Sequence, residues 1–207
     1  MPQVLKAEVR ERILGAALAQ FAKSGYAAAT MSDIARGAGM AVANLYRYYP
    51  SKEELFEAAV PRPVVARFDE LLERSVHAHA TLMGLSRAGE DTSAAAELLE
   101  FWIEQRLVVV VLLDRAQGSA HEAFARRFVE RLVTLSLAEI DRMSPGVAVP
   151  PEARLVLEQI FENTRRLLGV VLESYAEAVA IRRALSAFRT YQVAGIAALA
   201  RELAAAK

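Results

Sequence analysis

The sequence predicts an all-α fold, and three observations carry that prediction. Alanine and leucine dominate a chain of 207 residues that is 54% hydrophobic, and both lose little conformational freedom in a helix. Glycine and proline are few, 10 and 7. Apolar residues recur at helical spacing, as in Val9, Ile13, Ala17 and Phe21. The length suits one large domain or a small one joined to a larger one, with a sizeable core in either case.

Residues 4–24 form the first predicted helix, ended by Gly25. Thr30 can cap a second helix, with Asp33 three residues on. Ile34, Ala35 and Ala38 are its apolar positions. Gly39 stands where a sharp turn needs positive φ, and Met40, Leu45 and Tyr48 supply the inward face of a third helix. Counted from Met31, an apolar residue is fourth, alanine fifth, glycine ninth, and apolar residues tenth, fifteenth and eighteenth. That is the spacing of a helix-turn-helix. Pro50 stops the third helix and Ser51 to Glu54 is a capping box for a fourth. Lys52 opposes the dipole of that helix, which makes sense if a phosphate docks there; an ordinary solvated lysine is the equal alternative.

Pro61 and Pro63 break the chain before a run to about residue 81, and they mark the expected boundary between a 1–52 module, linked through a helix starting at 51, and a 61–207 domain. Loops are expected at 83–93 and 144–151. Helices are expected at about 94–117, 120–142, 151–175 and 178–204, and the run 107–113 is apolar all round, which marks a buried helix.

Charge is balanced at 25 basic and 25 acidic side chains, but unevenly placed. Residues 1–52 hold seven basic side chains (Lys6, Arg10, Arg12, Lys23, Arg36, Arg47, Lys52) against three acids (Glu8, Glu11, Asp33), a net of +4. A basic end on a neutral chain suits a polyanion partner. There is no cysteine, which removes disulfides, thiolate metal sites and cysteine nucleophiles. The amino terminus lacks the apolar core of a signal peptide, and no apolar run approaches the roughly 20 residues of a membrane span. A cytoplasmic protein with no membrane partner is expected.

With ILGAALAQFAKSGY, TMSDIARGAG and LYRYYPSKEEL, the first 60 or so residues resemble the TetR family of bacterial transcriptional regulators. The family pattern is Leu-Tyr-x-Tyr/His-Phe-x-Ser/Asn-Lys-x-x-Leu. The resemblance implies a homodimer that binds a palindromic double-stranded DNA operator and is released by a small-molecule effector. It also implies phosphate contacts at Thr30, Asn44, Tyr46, Tyr48 and Lys52. Helix-turn-helix geometry independently faces Val42, Ala43, Tyr46 and Arg47 towards a major groove. The family usually has serine at 41, a polar residue at 42 and glycine at 43, where this chain has Ala41, Val42 and Ala43. Ala41 forfeits a cap worth about 1 kcal/mol, and the apolar tip is suited to thymine methyls.

Rival motifs are poorer. Residues 37–42 half-match a dinucleotide fingerprint without its third glycine or preceding strand. His77 and His79 are separated by about 200° on a helix, and with His121 they read as solvated or hydrogen-bonding groups. No cofactor, metal or catalytic residue is expected, and no enzyme motif is present.

Polar residues leading into the 107–113 run nominate an effector site at Trp102, Gln105, Arg106 and Asn163, for a hydrophobic or amphipathic molecule, with surface placement or internal ion pairing the favoured alternative for any one of them. Leu167, Val171 and Tyr175, with Ile181, Leu185, Phe188, Gln192, Gly195, Ile196, Leu199 and Leu203, form stripes fit for a two-fold four-helix interface. The same stripes could instead fill the chain's own core. A ligand-responsive repressor is the first reading. The alternative is an all-helical small-molecule or partner-binding protein whose DNA binding is weak or lost.

Overall fold

The structure, a computed structural model, describes residues 2–80, 92–143 and 149–205. Among these it contains helices and no strand. Most of both expected loops, and the side chains of His77, His79 and Leu203, lie outside the described residues. The helices are α1 (Pro2–Ala28), α2 (Met31–Gly37), α3 (Val42–Tyr48), α4 (Lys52–Ala59), α5 (Arg62–Ala80), α6 (Thr92–Glu104), α7 (Arg106–Val110), α8 (Phe124–Met143), α9 (Pro151–Ser174) and α10 (Ala178–Ala205). A π-helical turn, Val111–Arg115, continues α7.

The chain forms two compact units, residues 1–66 with 107–125, and residues 67–106 with 126–207. The sequence boundary at the proline pair therefore does not coincide with the division in space, because residues 107–125 group with the amino-terminal helices. The expected helix at 94–117 is also three pieces, interrupted at Gln105 and widened into the π turn. Helical periodicity registers apolar faces but not where a ladder of hydrogen bonds slips by one residue.

In the amino-terminal unit, α1 packs against α2, α4 and the π turn. Ile13, Ala17 and Phe21 of α1, Ile34 and Ala35 of α2, Leu45 of α3, and Leu55 and Phe56 of α4 are buried, as are Val108 to Leu113. The rings of Phe21 and Phe56 meet edge-on at 5.1 Å, those of Tyr26 and Phe56 at 4.7 Å, and His121 lies 6.1 Å from Phe56. Each buried phenylalanine contributes about 1.5–3 kcal/mol by removal from water. Gly25 ends the regular part of α1 at φ 79°, ψ 158°, a region essentially reserved for glycine.

The second unit is built on a Phe68, Phe101 and Phe128 cluster with the buried faces of α9 and α10. Leu157, Phe161, Thr164, Leu168 and Leu172 line α9 at helical spacing. Helix α10 packs on α9 and α6. Ion pairs tie these helices: Arg74 to Glu97 at 3.0 Å, Arg131 to Glu73 at 2.7 Å, and Arg182 to Glu100.

Candidate nucleic-acid interface

Helix α2 begins where its sequence stipulates. The Thr30 hydroxyl accepts from the Asp33 amide at 3.1 Å and donates to the Asp33 carboxylate at 2.6 Å, and Arg36 pairs with the same carboxylate at 3.0 Å. Chiefly through the Thr30 hydroxyl, the Asp33 carboxyl is held below its ordinary pKa, with Arg36 adding to the effect. The helix ends in a complete Schellman motif: the Met40 amide donates to Ala35 O at 3.0 Å and the Gly39 amide to Arg36 O at 3.1 Å. Gly39 takes φ 64°, the left-handed conformation that the motif requires at that position. Ala35 and Leu45 are fully buried, and α2 packs on α3.

Helix α3 presents Ala43, Asn44, Tyr46 and Arg47 to solvent, with Tyr46 48% exposed, while Val42 and Tyr48 are half-buried. Its N-cap, Ala41, is exposed and makes no side-chain bond. The helix stops at Tyr48, and Ser51 then caps α4 by accepting from the Glu54 amide at 3.1 Å. Thr30 and the α3 residues nominated from sequence thus stand on two packed helices.

Lys52 is placed differently from the phosphate contact expected of it. Its ammonium donates to Tyr26 O at 2.8 Å, Ala29 O at 3.2 Å and Ala27 O at 3.3 Å, and it lies 4.4 Å from the centroid of the Tyr26 ring. A lysine that opposes the dipole of α4 is accounted for by the end of α1, whose last carbonyls attract a cation. The Tyr26 phenol donates to Glu53 at 2.9 Å. Burial first, then this bond and the Glu53 charge, push its pKa up to about 12. Tyr26 and Glu53 were not among the sequence candidates. A bond between residues 27 apart leaves no local spacing to find.

In the second unit the effector candidates separate. The Trp102 indole nitrogen is buried without a hydrogen-bond partner, and the ring meets Phe68 edge-on at 6.4 Å. Gln105, at the interruption after α6, is half-buried. Arg106 donates to Leu172 O in the last turn of α9 at 2.7 Å. Asn163 is exposed on α9, one residue off the buried face marked by Thr164.

The proposed dimer stripe divides as well. Ile181 is 0% exposed and Leu185 is buried in the unit's own core. Gln192 donates to the Thr164 hydroxyl at 2.6 Å. These three belong to packing within the chain, because α10 packs on α9 and α6. Leu167, Val171, Phe188, Ile196 and Leu199 are half-buried, and Tyr175 and Gly195 are exposed. Large apolar side chains outside the predicted stripe are also uncovered: Leu155, Val156 and Val170 on α9, Val179 and Tyr191 on α10.

Two short helices joined by a left-handed glycine turn, the second with exposed side chains, form a helix-turn-helix. Residues 13–59 match the family of bacterial regulatory proteins, tetR family. The HTH-type transcriptional repressor KstR of Mycobacterium tuberculosis is 45% identical over 74 residues, 36% of this chain and 33% of that protein. KstR of Rhodococcus jostii is 49% identical over 55 residues, 27% of this chain and 26% of that protein. The matched stretch thus spans about a third or less of these curated relatives. Among solved structures, NalD, the secondary repressor of the MexAB-OprM multidrug efflux pump in Pseudomonas aeruginosa, aligns over 88% of this chain and 96% of its own, at 20% identity and a TM-score of 0.42. A tetR-family transcriptional regulator from Streptomyces coelicolor aligns over 95% of this chain and 88% of its own, at 20% identity and a TM-score of 0.38. The likeness to the tetR family of bacterial regulatory proteins is thus carried by residues 13–59, the helix-turn-helix and the helices that flank it. Among the described residues no helix is long and apolar enough to cross a membrane.

Proposed function

We propose that this protein is a cytoplasmic transcriptional repressor that binds a palindromic DNA operator as a homodimer and leaves it when a small apolar or amphipathic effector binds the second unit. The observation that carries the reading is α3: capped into place behind α2, it exposes Ala43, Asn44, Tyr46 and Arg47 on a segment whose first 52 residues are net positive. Thr30, Asn44, Tyr46 and Tyr48 contact phosphates, and Val42, Ala43 and Arg47 face the bases. Titration of the purified protein against DNA from upstream of its own gene, at two salt concentrations, tests this. Sequence-specific binding that weakens steeply with salt is expected; no specific retention at low salt overturns it.

Uncovered Val170, Tyr175, Val179 and Tyr191, with Gly195 permitting close approach, supply the apolar surface for a second copy. A monomeric mass in solution at micromolar concentration overturns that part. For the effector, the unpartnered Trp102 indole N–H is a donor that a bound acceptor oxygen would satisfy, and Trp102 is the one tryptophan in the chain. Effector binding should therefore change the protein's indole fluorescence. The bare cap at Ala41 favours one other reading, a helical ligand- or partner-binding protein with weak DNA affinity, which the same titration separates.

A further inference from the structure

Lys52 has three N–H donors, and three backbone carbonyls, of Tyr26, Ala27 and Ala29, receive them. Its neighbour Glu53 accepts from the phenol of the same Tyr26. Two consecutive residues at the start of α4 therefore grip one turn of chain at the end of α1, one through the backbone and one through the side chain. Between those two points, residues 30–51, lies the whole helix-turn-helix. Its two ends are drawn together at a single corner. Moving the ammonium onto a phosphate would strip three carbonyls of their donor and forfeit the contact with the Tyr26 ring. Of the three, Tyr26 and Ala29 are themselves buried, so water would not freely replace it.

We propose that Lys52 is a positioning residue, which holds the ends of the helix-turn-helix together and so sets how α3 is presented, and that it makes no phosphate contact. This rests on the DNA-binding reading above and departs from the role that the family resemblance assigns to Lys52. Neutralising it should misplace α3, so base contacts are lost while phosphate contacts remain. A phosphate contact gives the opposite pattern: binding weakens uniformly across sequences, and the salt slope falls by about 1.

The test uses the full chain and two duplexes, one from the upstream region that the wild type retains and a scrambled version of it. Dissociation constants are measured between about 50 and 200 mM salt for the wild type, Lys52→Met and Lys52→Gln, the last keeping an amide donor should Lys52→Met fold poorly. The expected result is a specific-to-scrambled ratio reduced about tenfold, within the range of one lost base contact, with an unchanged slope of log affinity against log salt. A slope shallower by about 1 in either variant, or an unchanged ratio in both, overturns the proposal. A purely structural role would lower the fraction of active protein and leave the ratio intact. Failure of the wild type itself to discriminate the two duplexes is the separate outcome that removes the DNA-binding reading.

Discussion

The two units hold their helices together with polar side chains used in different ways. In the amino-terminal unit the polar groups close onto helix ends. Thr30 and Ser51 cap amides, Lys52 collects carbonyls, and Gly39 completes the end of α2. In the second unit one arginine, Arg106, also closes onto a helix end, but others reach across to carboxylates on other helices, as in Arg74 with Glu97, Arg131 with Glu73 and Arg182 with Glu100. Caps specify where a helix starts and stops, so they shape a small module closely. Exposed ion pairs add little stability each, and a unit laced by them depends on its apolar core. The helix-turn-helix is accordingly the more sharply determined of the two.

Mutations that discriminate these modes can break or sharpen the contrast. The largest effect is expected from Phe56→Ala, about 3–5 kcal/mol by loss of a fully buried ring, since Phe56 meets Phe21, Tyr26 and His121. Equilibrium unfolding followed by circular dichroism measures it. Phe68→Ala in the second unit should cost a similar amount but also shift the native emission of Trp102, whose ring it meets, whereas Phe56→Ala should leave that emission unchanged. An equal shift in both variants would erase the distinction.

Caps come next. Thr30→Ala should destabilise by about 1 kcal/mol, and Ala41→Ser, at the bare start of α3, should stabilise by up to about 1 kcal/mol. Chemical denaturation resolves both. A neutral Thr30→Ala would mean that the cap geometry is incidental. The smallest effect is expected for the Glu100 and Arg182 pair. Both side chains are more than 40% exposed, and a double-mutant cycle should return about 0.2–1 kcal/mol. A coupling well above that would place ion pairs on a level with the caps and undo the comparison.

Local rules explain what was legible. Asp33 three residues after Thr30, glycine at the ninth position from Met31, and serine three residues before Glu54 are relations within one helical turn or one tight turn. Side-chain reach and backbone sterics settle these without the rest of the chain. The apolar faces of α9 and α10 were equally readable, because period 3.6 is a property of the helix itself. What covers a face is not. Ile181 and Leu185 fitted a dimer stripe as well as an internal core, and only the packing of α10 on α9 and α6 assigns them to the core.

By itself, then, the sequence determined the all-α class, the caps and glycine turn of the helix-turn-helix, and the burial of Val108 to Leu113, since each follows from local composition or from contacts a few residues apart. Tertiary structure decided that 107–125 joins the amino-terminal unit and that Ile181 and Leu185 are buried within the chain. It also turned Lys52 inward onto the end of α1. Those outcomes depend on which distant groups compete for the same donor or apolar face, and that competition exists only once the helices are packed.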